Sequence, residues 1–196
     1  MSASLVGSEM CIRDRVLTPI YERKFHTNSY GFRPGKSAQQ AVLKAAEYMN
    51  EGYNWVVDID LEKFFDTVEH DKMISILNKE IKDGKTLSLI RKFLASGVMV
   101  GEQMEETEIG TPQGGNISPL LANILLNELD WELESRGLRF VRYADDCIIL
   151  VRSEKAATRV MKSVTKYIEN VLRLKVNKDK SRIGRPTEIQ YLSLIH

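Results

Sequence analysis

The fold is decided by the stretch RFVRYADDCIILVR, residues 139–152. Arg139–Tyr143 and Cys147–Arg152 are rich in aromatic and branched apolar residues, a composition that favours β-strands. The few residues between them allow only a very tight turn. We therefore predict an antiparallel hairpin that carries two adjacent carboxylates, Asp145 and Asp146, in its turn.

A strand before the hairpin and two elements after it complete the predicted core. Trp55–Asp60 ends in alternating apolar and acidic residues, which predicts a strand with Asp58 and Asp60 on one face. Lys155–Val171 has the apolar spacing of a helix, and Arg173–Val176 predicts a last short strand. In chain order this gives β, α, β, β, α, β, which is typical of the α+β ferredoxin-like (split βαβ) antiparallel sheet.

This topology brings distant carboxylates together. The first strand lies beside the third, and the second and third form the hairpin. Asp60 ends the first strand, and it is 85 residues from Asp145 in the sequence. Because neighbouring strands lie ~4.8 Å apart, Asp60, Asp145 and Asp146 are predicted to converge at one sheet edge.

Several helices are also indicated. Ser37 and Gln40 have the spacing of a capping box, and Asp71 lies near the start of a further helix. Ser118-Pro119 is a favourable N-cap and N1 pair. An apolar helical stripe follows it: Leu121, Leu125, Leu129 and Leu133. Between the helix near Asp71 and the helix that begins at Ser118, residues 96–109 predict a short hairpin or an irregular strand pair.

Composition limits the function classes. No apolar run reaches the length of a membrane helix, and the two cysteines cannot form a disulfide framework, so we expect a cytoplasmic protein without a membrane partner. The net charge is +1, but residues 152–185 carry eleven Lys and Arg against three acidic residues. That segment is either a phosphate-tracking face or a solvated helix face.

Three converging carboxylates repel one another unless a cation neutralises them. Mg²⁺ prefers oxygen ligands and often shares its shell with substrate phosphates. Two such ions ~3.5–4 Å apart can activate an attacking oxygen and stabilise a leaving one. Taken singly, each aspartate is equally consistent with a turn former or a surface charge.

Tyr143-Ala144-Asp145-Asp146 resembles the YADD box of reverse transcriptases, and four more segments resemble motifs of the group II intron enzymes in the same order. They are Asn28–Ser37 (fingers), Val57–Asp66 (first palm motif), Gly110–Pro119 (nucleotide-contacting loop) and Leu174–Ser181 (later palm motif). The resemblance covers about residues 16–192. It implies a reverse-transcriptase palm with partial helical fingers.

The resemblance also implies the catalytic residues. Asp60, Asp145 and Asp146 would hold two Mg²⁺ ions. Asp60 is selected over Asp58 because an aromatic residue, Phe65, follows it by five positions. Phe65 would lie under the sugar of the incoming dNTP and exclude a 2′-hydroxyl; alternatively it is a core residue.

Four further residues receive substrate roles from the resemblance. Gln113 would contact the dNTP or the template base, unless its segment is a plain turn before a helix. Arg33 and Lys36 would bind the triphosphate as charge-assisted donors, unless their loop is simply solvated. Lys180 would protonate the leaving pyrophosphate, although a phosphate contact or a solvated lysine fits equally well.

The predicted domain organisation is a reverse transcriptase domain over 16–192, with partial fingers at 16–54 and palm at 55–192. Residues 1–15 and 193–196 resemble translated sequencing-adapter sequence, so we expect them to be non-native; the alternative is genuine divergent termini. The thumb is expected to be absent, and the 196-residue product alone is expected to have little polymerase activity.

The leading hypothesis is an RNA-directed DNA polymerase of a bacterial group II intron. Its partners would be an intron RNA template, a DNA primer and dNTPs, with a maturase role in the full-length protein. One alternative is an RNA-binding maturase without polymerase activity. Another is a retron or diversity-generating reverse transcriptase. No oligomeric state is indicated.

Overall fold

The computed structural model describes residues 11–95, 99–100, 103–104, 109–110, 115–189 and 191. The chain forms two compact units, one from residues 1–25 with 63–125 and the other from residues 26–62 with 126–196. We call them unit one and unit two. The predicted fingers and palm ranges stay predictions.

Unit one is mainly helical. Its elements are a π-helical segment Ile12–Leu17 with α1 (Thr18–Tyr21), α3 (Phe64–Thr67), α4 (His70–Leu77), α5 (Gly84–Ala95), and the two-stranded antiparallel pair β2 (Met99–Val100) and β3 (Gln103–Met104). The last pair confirms the hairpin predicted within residues 96–109. Helix α5 was not predicted; Asp83 caps it by accepting bonds from the amides of Lys85 and Thr86.

Unit two contains the sheet. Its strands are β1 (Trp55–Ile59), β4 (Arg139–Tyr143), β5 (Asp146–Val151) and β6 (Arg182–Gly184), in the order β4-β5-β1-β6, and all neighbouring strands are antiparallel. Its helices are α2 (Ala38–Asn50) and α7 (Glu154–Tyr167), the latter continuing as a π-helical segment Ile168–Leu172. The predicted fold class and the hairpin are confirmed, since the first palm strand lies between the third and the fourth.

The position of the last strand was predicted wrongly. Arg173 has a left-handed backbone with φ 60°, so it ends the preceding helical segment instead of opening a strand. Val176 forms only an isolated bridge with Leu61. The chain then turns, and Arg182–Gly184 pairs with β1.

Both faces of this sheet are covered. Helix α2 packs on β4 and β5 and closes a core with Val56, Val141 and Ile148. Helix α7 packs on β1, β5 and β6. The strands are therefore largely buried, and the polar edge where Asp58 and Asp60 lie is a local exception.

Other helix predictions also hold. The Ser37 hydroxyl accepts from the Gln40 amide, and the Ser37 amide donates to the Gln40 side chain, which completes the capping box. Asp71 lies in the first turn of α4. The predicted leucine stripe is buried on α6 (Ser118–Ser135). In the described part of the chain no helix has both the length and the apolarity needed to cross a membrane.

Candidate active site

Two of the three carboxylates predicted to converge, Asp60 and Asp146, line one cavity at an edge of the unit-two sheet, and Asp145 lies in the adjoining turn. Ile59 lies opposite Cys147 in the β1–β5 register, so the next residue along, Asp60, continues toward Asp146 at the start of β5. Residues opposite each other in antiparallel strands point to the same face. A cavity of about 390 Å³ opens there, lined by Asp58, Asp60, Asp146, Asp179, Lys180, Arg182 and Tyr191.

Burial and the neighbouring carboxylates both raise the pKa of Asp146 at this edge. Burial of its carboxyl, and then the charges of Asp145, Asp58 and Asp60, raise the pKa of Asp146 to about 6. The side chain as a whole is still exposed, so solvent screens part of this effect. A carboxylate with a raised pKa among other carboxylates marks a place where a cation is stabilised.

Asp58 differs from its neighbours because it has a partner. Its Oδ2 lies 3.4 Å from Nε of Arg182, the residue opposite it on β6. Burial raises the pKa of Asp58, the Arg182 hydrogen bond and charge lower it, and Asp60 raises it again. Asp58 therefore has a charged partner within its own sheet.

The donor chemistry of the edge suits a hard divalent cation, because the carboxylates supply oxygen ligands only. A cation bound there would reverse the repulsion that raises the pKa of Asp146. Among the residues that the structure describes, however, no three His, Cys, Asp or Glu side chains are grouped closely enough to hold one ion. The carboxylates share a cavity without forming a ligand shell.

A second turn, within the Leu174–Ser181 segment that resembles the later palm motif, holds Asp60 in place through contacts that the sequence did not predict. The Asp60 amide donates to the Ser181 hydroxyl at 3.1 Å, and the Asn177 amide donates to the Asp60 carbonyl at 2.9 Å. The Asn177 side chain also accepts from the amides of Asp179 and Lys180. Lys180 lines the cavity, and its role at the leaving group stays a prediction.

Arg33 and Lys36 are held against their own loop. Nη1 of Arg33 donates to the carbonyls of His26 and Ser29, at 2.7 and 2.9 Å. Nζ of Lys36 donates to the Thr27 carbonyl and lies 4.7 Å from the centre of the Tyr30 ring. Their role at the triphosphate stays a prediction.

The remaining two predicted residues belong to unit one. Phe65 is partly buried, and its ring contacts Phe64 edge-on with centres 5.2 Å apart. Gln113 lies outside the described residues. The glycine that begins its motif, Gly110, donates to the Val68 carbonyl and accepts at 2.5 Å from the buried His70 ring.

One exposed aromatic residue at the unit-two edge was also missed by sequence reasoning. Phe32 is 61% exposed, has a φ of 54°, and its ring lies 6.5 Å from that of Tyr143. A positive φ in a bulky residue is uncommon. Only an abundance of Gly, Pro and Ser around it marked this segment as a loop.

Comparisons with known proteins agree with this geometry. Residues 8–196 match the family model "Reverse transcriptase (RNA-dependent DNA polymerase)". Protein YkfC of Escherichia coli is 30% identical over 88% of this chain and 57% of its own length. Group II intron-encoded protein LtrA of Lactococcus lactis subsp. cremoris is 41% identical over 68% of this chain and 22% of its own length. The chain thus spans only part of these relatives, and the second confirms the resemblance to group II intron proteins.

The fold has a counterpart among solved structures. Telomerase from Candida albicans superposes with a TM-score of 0.67 at 15% identity, over 96% of this chain and 36% of the telomerase chain. At that identity the likeness concerns the fold alone. The family match over residues 8–196 establishes that the chain belongs to the reverse transcriptase (RNA-dependent DNA polymerase) family.

Proposed function

We propose that this chain is the catalytic part of an RNA-directed DNA polymerase encoded by a bacterial group II intron. One observation carries the proposal: Asp60 and Asp146 line a single cavity with Lys180, and Asp145 lies in the adjoining turn. The 41% identity to LtrA favours the group II intron type over retron or diversity-generating enzymes. The working protein would act in the cytoplasm on an intron RNA template, a DNA primer and dNTPs.

The reaction is nucleotidyl transfer, which in polymerases depends on divalent metal ions. Asp60, Asp145 and Asp146 would hold two Mg²⁺ ions, which lower the pKa of the attacking hydroxyl and stabilise developing charge. The primer 3′-hydroxyl would lose its proton to solvent, and its oxygen would form a bond to the α-phosphorus while the bond to pyrophosphate breaks. Lys180, which lines the same cavity, would donate a proton to that leaving group.

Four residues would select the substrate. Arg33 and Lys36 would contact the triphosphate, and Gln113 would contact the dNTP or the template base. Phe65 would exclude a 2′-hydroxyl by contact with the sugar. If it does, Phe65→Ala raises ribonucleotide incorporation; unchanged sugar discrimination removes it from this role.

Primer extension tests the proposal directly. The protein expressed from its full reading frame is given a primed RNA template, dNTPs and Mg²⁺. We expect Asp146→Asn to abolish extension and to leave RNA binding intact. The matched control Asp71→Asn removes the same charge from the exposed first turn of α4 and should extend normally. Extension that survives Asp146→Asn contradicts the proposal.

RNA binding without polymerisation is the second candidate, and one surface favours it. A groove of about 410 Å³ in unit two is lined by Lys162, Lys166 and Lys178, with Met161 and Val176 among its apolar residues. Phosphate contacts from these lysines would make RNA affinity fall steeply with salt. If Lys162→Glu with Lys166→Glu weakens RNA binding while Asp146→Asn leaves splicing support unchanged, the maturase role is primary.

A further inference from the structure

A buried ion pair lies beneath the carboxylate turn. Arg142 on β4 and Asp130 on α6 are both fully buried. The guanidinium binds the carboxylate through two parallel hydrogen bonds, Nε to Oδ1 at 2.7 Å and Nη2 to Oδ2 at 2.6 Å. This two-point geometry fixes the plane of the arginine side chain.

The rest of the guanidinium reaches the turn itself. Nη1 of Arg142 donates to the carbonyl of Ala144 at 2.7 Å, and Nη2 also donates to the Ser29 hydroxyl at 2.8 Å. Ala144 is the first of the two turn residues and has a φ of 57°. An alanine with positive φ persists only where its surroundings hold it.

The fingers motif supplies a second support for the same turn. Residues 28–30 run parallel to the end of β4: the Arg142 amide donates to the Asn28 carbonyl at 2.9 Å, and the Tyr30 amide donates to the Arg142 carbonyl at 2.8 Å. Gly31 then lies so close that a Cβ on it would come within 2.2 Å of the Ala144 nitrogen. The turn is therefore enclosed by Arg142 from below and by this segment alongside.

We propose that Arg142, held by Asp130, is a positioning residue for catalysis: it fixes the Ala144–Asp145 turn and so sets where the Asp145 and Asp146 carboxylates stand. The inference rests on the proposed function of that edge. Arg142 touches no reacting group; it acts through the Ala144 carbonyl. The catalytic carboxylates at the turn thus depend on a contact on the opposite side of the hairpin.

Stability alone does not explain this pair. A buried ion pair can often be replaced by apolar residues of similar volume without loss of stability. An apolar side chain could fill the space of Arg142, but it could not donate to the Ala144 carbonyl. A lysine side chain has one nitrogen, so it could not reproduce the hydrogen bonds that Arg142 donates from its three guanidinium nitrogens.

The test is a double variant, Asp130→Leu with Arg142→Met, which removes both charges together so that the protein can still fold. The matched control is Arg136→Met, which removes an arginine from the exposed Glu132–Arg136 pair just beyond the end of α6. Thermal unfolding, amide hydrogen exchange over residues 144–147, and primer extension with Mg²⁺ are measured for each full-length protein.

We expect the double variant to unfold near the wild-type temperature, to exchange the amides of residues 144–147 faster, and to extend with a kcat lower by ~10–100-fold. The KM for dNTP should change less than kcat, because Arg142 bonds the turn directly, whereas it reaches Arg33 through Ser29. A double variant that folds with wild-type exchange and wild-type kcat overturns the proposal. If the wild-type protein itself fails to extend, the polymerase function is wrong, and the exchange measurement alone decides the role of Arg142.

Discussion

Two arginine–aspartate pairs serve the same sheet in contrasting ways. Arg142 and Asp130 are both fully buried and meet at 2.6 Å, whereas Arg182 and Asp58 meet at 3.4 Å with half of the arginine side chain exposed. The first pair bonds the carbonyl of Ala144 in the turn that carries Asp145 and Asp146. The second pair lies on the cavity wall and adjusts charge, since Arg182 lowers the pKa that burial raises in Asp58.

Breaking the buried pair from one side should have the largest effect. Asp130→Asn keeps the volume of the side chain but leaves the Arg142 charge buried without its counter-ion. We expect a loss of about 3–5 kcal/mol in the free energy of unfolding, measured by urea denaturation. Glu132→Gln, which breaks the exposed pair with Arg136, should cost less than about 1 kcal/mol. Equal losses would show that burial does not distinguish the pairs.

The close packing around the buried pair predicts the next effect. Gly31→Ala forces the Ala144 backbone to move, because the added Cβ would lie 2.2 Å from its nitrogen. A cost of ~1–3 kcal/mol in unfolding free energy is expected for such overpacking. Gly84→Ala is the control, since nothing lies within 4 Å of its added Cβ. A Gly31→Ala protein as stable as the wild type would mean that the turn is not enclosed.

Divalent-cation binding at the cavity should depend on pH. Asp146 has a pKa raised to about 6, so it is protonated below pH 6 and must lose that proton to hold a cation. Divalent-cation affinity should therefore reach its full value well above pH 6 and fall as pH drops below it, by up to roughly tenfold per pH unit. Calorimetric titration with Mg²⁺ at pH 5 and pH 7.5 measures this, and equal affinities would contradict it.

The smallest effect is expected at the Arg182–Asp58 pair. Arg182→Gln removes the group that lowers the pKa of Asp58, so that pKa should rise, as followed by carboxyl ¹³C NMR. Unfolding free energy should change by less than about 1 kcal/mol, because half of the Arg182 side chain is exposed and solvent screens its charge. A large stability loss would place this pair with the buried one.

Much of the fold followed from strand periodicity and motif order. The hairpin at residues 139–151 and the neighbouring β1 were predictable because their apolar residues indicate strands and the short turn indicates a hairpin. Strand β6 was missed because Arg173–Val176 alternates like a strand, and only the left-handed Arg173 shows that the chain turns away. Helix α5 lacks a resemblance motif and was overlooked.

The carboxylates of the candidate site could be predicted from the sequence, but the buried residues that pack beneath them could not. Asp60 and Asp146 stand out as carboxylates at strand ends, but Arg142 and Asp130 would be taken for surface charges. The available signal was their position: Arg142 lies in an otherwise buried strand, and Asp130 follows the buried Leu126 by one helical turn. A charge in an apolar position indicates a buried partner, but sequence alone does not identify which one.

The most direct test of the carboxylate edge counts bound Mn²⁺ on this chain by electron paramagnetic resonance, which requires no polymerase activity. The account predicts saturable binding to the wild type, loss of that binding in Asp60→Asn with Asp146→Asn, and retention in the control Asp71→Asn. Unchanged Mn²⁺ binding in the double variant would contradict the assignment of this edge as the metal-dependent catalytic centre.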